Sequence, residues 1–198
     1  MTTSSSILNK MVADGNGYLQ TEAVVKQGIS KTALAAYVRA HQMERVAHGL
    51  YLSPDAWPDE FFQVSVVNKR AILSHETALY LHDLTERESL AISVTVPAGY
   101  NASHLRKKGV RVYQVRQDIY LLGKTEVRTN LGNPVYCYDM ERTICDCISN
   151  KEHMDIQMFQ YAVREYMRRP EKNLTRLMDY AKRMKIDSAI RTYTEVLL

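Results

Sequence analysis

KQGISKTALAAYVRAHQMERVAHGLYLSP, residues 26–54, holds a glycine turn, a short helix and a tight hairpin within one stretch. Gly28 supplies the sharp turn, because glycine tolerates the left-handed backbone at a helix end. Ser30 is a helix cap by residue type, and the helix it starts runs to about His41. At 100° per residue, Tyr37, Val38 and His41 fall within about 60° of Leu34 and form an inward face. Thr32, Ala36 and Arg39 point the other way, flanked by Ala35 and Ala40, so the outer face is small and polar with a long cation. Met43 to Ala47 and Leu50 to Ser53 then flank His48-Gly49, the spacing of a two-stranded hairpin.

Upstream, Ile7, Leu8, Met11 and Val12 recur at helical spacing behind a serine cluster, which predicts a helix from Ser4 to about Ala13. Asp14-Gly15-Asn16-Gly17 ends it. Tyr18-Leu19-Gln20 suits a short strand, and Thr21 suits the cap of a helix reaching about Lys26. The order is helix, strand, helix, turn, helix, hairpin, the parts list of a winged helix-turn-helix. The proline-flanked PDAWP, Pro54 to Pro58, marks the expected boundary, with one domain over residues 1–55 and a second over 59–198.

The second stretch reads as helices, strands, then helices. A helix is expected from Phe61 to about Asn68, and Ser74 is expected to cap HETALYLHDL. LAISVTVP (Leu90 to Pro97) and VRVYQVR (Val110 to Arg116) alternate like strands. TEVRTNLGNPVYCYD reads as two strands joined at Leu131-Gly132-Asn133-Pro134, and Asp139 as the cap of MERTICDCIS. Helices are expected over Ile156–Met167, Asn173–Met184 and Ala189–Val196. The expected fold class is therefore mainly α with a small β content (α+β): a winged helix-turn-helix followed by an α+β domain that ends in helices.

Composition narrows the function classes. Lys and Arg number 26 against 22 Asp and Glu, a net charge of +4 that suits a nucleic-acid partner without requiring one. No run approaches the roughly 18 apolar residues of a membrane span, and MTTSSSILNK has neither a basic leader nor a long apolar core. A cytoplasmic protein with no membrane partner is expected. Cys137, Cys145 and Cys147 are odd in number and form no CxxC, so packed, reduced thiols are expected.

No enzyme motif stands out. HExxH would need a second histidine where Leu79 stands; His82 lies seven residues after His75, so Glu76 is read as a favourable charge in the first helical turn, not as part of a metal site. There is no GxxxxGK[ST] and no GxGxxG. Asp139 reads as a cap, Glu141 as a first-turn acid and Asp146 as an ordinary polar residue. No catalytic residue, metal or cofactor is expected.

The outer helix face and the hairpin carry the remaining chemistry. Ala35, Ala36 and Ala40 would let a helix backbone approach the floor of a major groove. Ser30 and Lys31 stand at the helix start, where Lys31 can reach phosphate. Arg39 can reach phosphate or guanine, and Thr32 can hydrogen-bond or touch a thymine methyl. Arg45 and His48 sit where the hairpin would meet the DNA backbone or the minor groove. Residues 1–55 nevertheless carry five Lys/Arg (10, 26, 31, 39, 45) against four Asp/Glu (14, 22, 44, 55), so a single copy should bind weakly. Two copies on paired half-sites, or help from the second domain, would repair that. Arg164, Arg168, Arg169, Arg176, Lys182 and Arg183 of the tail are candidates for further contacts with a DNA backbone or a partner, and Tyr161, Tyr166, Tyr180 and Tyr193 are either core or a docking surface with them.

The stretch YLQTEAVVKQGISKTALAAYVRAHQMERVAHGLYL, followed by AILSHETALYLHDL, ISVTVP and NPVYCYDMERTICDCI, resembles the AbiE-type (AbiEi) antitoxins of abortive-infection, type IV toxin–antitoxin systems. The resemblance covers about residues 5–150, and GLYL and MERTICD are its more distinctive pieces. It implies a bacterial, two-domain transcriptional autoregulator. The first domain would bind inverted repeats in its own promoter cooperatively, with two copies per operator. The second would counteract a co-encoded nucleotidyltransferase-like toxin without a stable complex, and phage defence would follow from the pair. The alternatives are a protein-interaction scaffold and a stand-alone transcriptional regulator unrelated to a toxin.

Overall fold

The computed structural model describes residues 3–87 and 89–197. The architecture is α+β, in two compact units. The first unit takes Met1–Asn68 together with Arg128–Pro134, and the second takes Lys69–Val127 and Val135–Leu198.

In the first unit the chain runs α1 (Thr3–Asp14), β1 (Tyr18–Gln20), α2 (Thr21–Lys26), α3 (Lys31–Ala40), β2 (Glu44–Ala47), β3 (Leu50–Leu52) and α4 (Glu60–Val67). Thr21 does not cap α2: it is already helical, and Gln20 precedes it without a side-chain cap. The strands form a sheet in the order β1-β3-β2, antiparallel throughout, so Tyr18–Gln20 joins the hairpin as its third strand. Leu8, Leu19, Val24, Ile29, Leu34, Tyr37 and Met43 close the core, which places α1, α2 and α3 around one apolar centre. Burying each of these large side chains stabilises the unit by about 1.5 to 3 kcal/mol.

The expected break at Pro54 to Pro58 does not end the first unit; α4 belongs to it. Asp59 explains why. Its Oδ1 accepts from Phe62 N at 3.0 Å and caps α4, while Oδ2 accepts from Thr129 Oγ1 at 2.5 Å and Asn133 Nδ2 at 2.8 Å. Its own backbone N–H donates to Tyr18 Oη at 2.7 Å. Asn16 Nδ2 adds a bond to Asn133 Oδ1 at 3.1 Å, so one buried carboxylate and two asparagines gather the 128–134 return loop.

The second unit contains β4 (Ile72–Leu73), α5 (His75–Leu81), β5 (Ser93–Pro97), α6 (Ser103–Arg106), β6 (Arg111–Val115), α7 (Gln117–Tyr120), β7 (Lys124–Arg128), β8 (Pro134–Tyr138), α8 (Met140–Ser149), a 3-10 turn at Lys151–His153, α9 (Ile156–Arg168), α10 (Leu174–Met184) and α11 (Asp187–Leu197). The last residue of β7 and the first of β8 fall in the return loop. The sheet order is β6-β5-β4-β8-β7. β5 runs antiparallel to β4, and β6 is parallel to β5, as β8 is to β4. Helices α8, α9, α10 and α11 pack around Ile144, Cys145, Ile148, Phe159, Tyr166, Leu177 and Ile190. All three cysteines are free and buried, and burial pushes each thiol upward in pKa.

Two expectations for this unit are corrected. Asp146 is not an ordinary polar residue. It is buried against the fully buried Arg142, whose Nε donates to its Oδ1 at 3.0 Å. Arg142 Nη1 also donates to the carbonyls of Ile119 at 2.5 Å and Leu122 at 3.0 Å, and its guanidinium lies 4.2 Å from the centre of the Tyr138 ring. Gly123 permits that approach: its φ is +76°, and a Cβ there would stand 2.6 Å from Arg142 Cβ. Nor does Ser74 cap α5 with its side chain. Its Oγ meets Thr95 Oγ1 at 2.8 Å and His75 Nδ1 at 3.0 Å, and Glu76 is buried in contact with Arg111 and Ser93.

Candidate nucleic-acid interface

Ser30 starts α3 from an extended backbone, and its Oγ accepts from Ala33 N at 3.1 Å. That bond satisfies one of the four amides a helix start leaves unpaired. Gly28, at φ +75°, makes the turn before it. The inward face is Leu34 and Tyr37, with Val38 partly buried, and Tyr37 Oη donates to Asn9 Oδ1 at 2.6 Å, which fixes the roll of α3 on α1. His41 departs from the expected inward face. It follows the last helical residue, beyond the packed length, and stays exposed with its ring tilted by 31° against that of Tyr37, centroids 4.1 Å apart.

The opposite face is open. Lys31, Thr32, Ala35, Ala36, Arg39 and Ala40 are all exposed, as is Ser30 at the cap. From Lys31, at 100° per residue, Ala35, Arg39, Thr32 and Ala36 follow within about 140° of arc, and Lys31 and Arg39 are about 12 Å apart along the axis. Among the described residues neither cation is in an ion pair. Lys26, by contrast, is held by Glu22 at 3.0 Å.

In the hairpin, Arg45 Nη2 donates to His48 Nδ1 at 3.1 Å, and both side chains are exposed. The sequence-derived residues thus divide into the helix set, Ser30, Lys31, Thr32, Ala36 and Arg39, and this hairpin pair. Both sets belong to the first unit.

The tail candidates separate by partner. Arg169 is tied to Glu165 at 3.4 Å, Glu171 at 3.7 Å and the Asp83 carbonyl at 2.8 Å. Arg176 lies 3.7 Å from Glu141, so both arginines are engaged in holding helices. Arg164, Arg168, Lys182 and Arg183 are exposed. Of the tyrosines, Tyr166 is core and donates to Glu141 at 3.1 Å, Tyr180 donates to Asp139 at 3.0 Å, Tyr193 packs edge-on against Phe159 and Tyr161 remains exposed.

No family model matches the chain, and no curated protein matches it either. A solved structure, that of the RV2827C protein from Mycobacterium tuberculosis, is similar in fold with 10% identity and a TM-score of 0.49, covering 98% of this chain and 81% of that one.

Other site classes have little to build on. Among the described residues no group of three or more His, Cys, Asp or Glu could hold a metal ion, and no helix is long and apolar enough to cross a membrane. His75 is buried, accepts from Asn150 Nδ2 at 3.2 Å, and stacks on Tyr113. Burial, with Arg142 and Arg111 nearby, lowers its pKa to about 3, so it stays neutral and serves as a packed hydrogen-bonding group.

One property of the first unit was missed because its chain is discontinuous. Lys10, Lys26, Lys31, Arg39, Arg45 and Arg128 are matched by Asp14, Glu22, Glu44, Asp55, Asp59 and Glu60, which makes the unit formally neutral.

Proposed function

We propose that this protein is a sequence-specific DNA-binding regulator whose first unit is a winged helix-turn-helix, with α2, the Gly28 turn and α3 as its reading element and β2–β3 as its wing. The observation that carries the proposal is the outward face of α3, small in its middle and cationic at both ends of its length. A bare alanine surface lets the helix backbone approach the groove floor. Lys31 and Arg39, about 12 Å apart along the axis, are spaced to meet phosphate at one end and phosphate or guanine at the other. Thr32 supplies a hydroxyl and a methyl for base edges. The proposed contacts are completed by Ser30, Ala36, Arg45 and His48.

A neutral reading unit gains little from counterion release, so one copy binds weakly and two copies on an inverted repeat bind cooperatively. Together with the resemblance to AbiE-type antitoxins, this supports an autorepressor of its own operon. In that reading the second unit antagonises a co-encoded nucleotidyltransferase-like toxin without a stable complex, the cellular outcome being phage defence in the cytoplasm of a bacterium.

The test is a titration of the protein onto the duplex upstream of its gene and onto a scrambled duplex at two salt concentrations. Preference for the upstream duplex is expected, with Arg39→Ala reducing it by a factor of about 5 to 100, the worth of one bidentate base contact. Equal weak binding to both duplexes, unaffected by Arg39→Ala, would refute the reading.

A further inference from the structure

From Ser89 to Gln117 the chain contains Arg106, Lys107, Lys108, Arg111 and Arg116 but no Asp or Glu. The whole chain is only +4, so this stretch accounts for more than all of the basic excess. It lies in the second unit, away from both the reading helix and the tail helices in sequence.

Two of the five cations are engaged. Arg111 contacts the buried Glu76, and Arg116 lies 3.2 Å from Asp118. The other three are consecutive and exposed: Arg106 ends α6, and Lys107 and Lys108 form the turn after it. Among the described residues their side chains make no hydrogen bond or ion pair. The backbone beneath them is well anchored. Ala102, Leu105 and Val110 are buried, Val110 N bonds to the Leu105 carbonyl at 3.1 Å, and β6 continues in register with β5 from Arg111 opposite Ser93. Nearby, Arg70 is exposed with its guanidinium 5.4 Å from the Tyr100 ring.

We infer that Arg106, Lys107 and Lys108 form a sequence-independent contact with the phosphate backbone of duplex DNA, separate from the α3 face. Three adjacent cations without carboxylate neighbours, held on an ordered turn, release counterions when phosphates replace them. A protein partner fits less well, since lysine is depleted in protein–protein interfaces. The inference extends the proposed DNA-binding function: the formally neutral reading unit supplies base contacts, and this turn supplies much of the charge that affinity requires.

The experiment is fluorescence anisotropy of the full chain on a duplex of random sequence across a series of salt concentrations. It compares the wild type, the triple variant Arg106→Ala/Lys107→Ala/Lys108→Ala, the charge-preserving Lys107→Arg/Lys108→Arg, and Arg39→Ala. Loss of three phosphate contacts should reduce the log–log salt slope by about 2.7, so that doubling the salt weakens the wild type roughly sixfold more than the triple variant. The charge-preserving variant should follow the wild type. A triple variant with the wild-type slope, and a circular dichroism melt confirming that it is folded, would overturn the inference. If the triple variant changes the slope while Arg39→Ala has no effect on the upstream duplex, the turn stands and the α3 reading falls. The opposite pattern removes the turn alone.

Discussion

Replacing Arg142 with methionine keeps most of the side-chain volume but removes a guanidinium that is fully buried. Three bonds disappear, to Asp146 Oδ1 and to the carbonyls of Ile119 and Leu122. Asp146 is left behind, 3 % exposed and without its countercharge. Breaking a buried pair from one side typically costs about 3 to 5 kcal/mol, mostly through the abandoned charge. With a urea m-value of about 1 to 3 kcal/mol/M, the midpoint at pH 7.5 should fall by roughly 1 to 5 M. Burial already raises the Asp146 carboxyl to about 6 despite the guanidinium, so without it the group should protonate more readily still. The loss should therefore shrink as the pH falls toward 5. Adding Asp146→Leu to Arg142→Met should recover much of the stability, because an apolar pair bears no desolvation cost. Urea titrations followed by circular dichroism, with hydrogen exchange at the α8 amides to localise the effect, provide the measurement. A single variant within about 1 kcal/mol of the wild type, or a double variant no better than the single, would refute the reasoning.

His75 should give the second unit a pH dependence of known sign. Its pKa falls from 6.5 to about 3 on folding, so its contribution is fully present above 6.5 and is lost as the pH falls toward 3. Each pH unit in that window is worth about 1.4 kcal/mol, so between pH 7 and 5 the wild type should lose about 2 kcal/mol that His75→Gln retains; parallel stability curves would contradict this. Gly123→Ala forces a side chain onto a φ of +76° and to within 2.6 Å of Arg142 Cβ and 2.9 Å of Asp139 Oδ1. A loss of about 2 to 4 kcal/mol in a thermal or urea melt is expected from strain and overpacking together, and an unchanged melt would mean the turn relaxes freely.

Local chemistry made several elements readable from sequence alone. Ser30 and Asp139 are caps because a short oxygen side chain stands just before an apolar helical pattern, and their oxygens do accept from Ala33 N and Arg142 N. Gly28 and His48-Gly49 were readable for the same reason: turn geometry is a property of a few adjacent residues. The α+β class followed from the alternation of LAISVTVP and VRVYQVR between helical periods. Pairing was harder to read. β4 is two residues long and has no measurable period, and Tyr18–Gln20 finds its partner in β3 more than 30 residues away. Asp59, directly after Pro58, looks like a loop acid until Thr129 and Asn133 arrive from 70 and 74 residues away. Asp146 was misread because a carboxylate four residues after an arginine on a helix is usually solvated. Here the buried Arg142 accompanies Asp146 into the interior, and Glu76, in the first turn of its helix as expected, is buried against Ser93 with the exposed Arg111 reaching in to it. The face of α3 was readable as a surface, and the neutrality of its unit was not, since that depends on residues assigned to it by distant contacts.

The 128–134 loop also sets a timetable. On the ribosome the chain emerges from its N-terminus, so Asp59 and Asn16 are available well before Thr129 and Asn133 exist. At about 5 to 20 residues per second, the roughly 70 residues from Asp59 to Thr129 take on the order of 4 to 14 seconds to appear. Through that interval α4 has its cap but the Asp59 carboxylate has only part of its hydrogen-bond shell, and the first unit is a provisional structure. Its last bonds form only after the chain has made β4 through β7. A fragment that stops at residue 68 would hold every element of the proposed reading head and still correspond to an intermediate of synthesis.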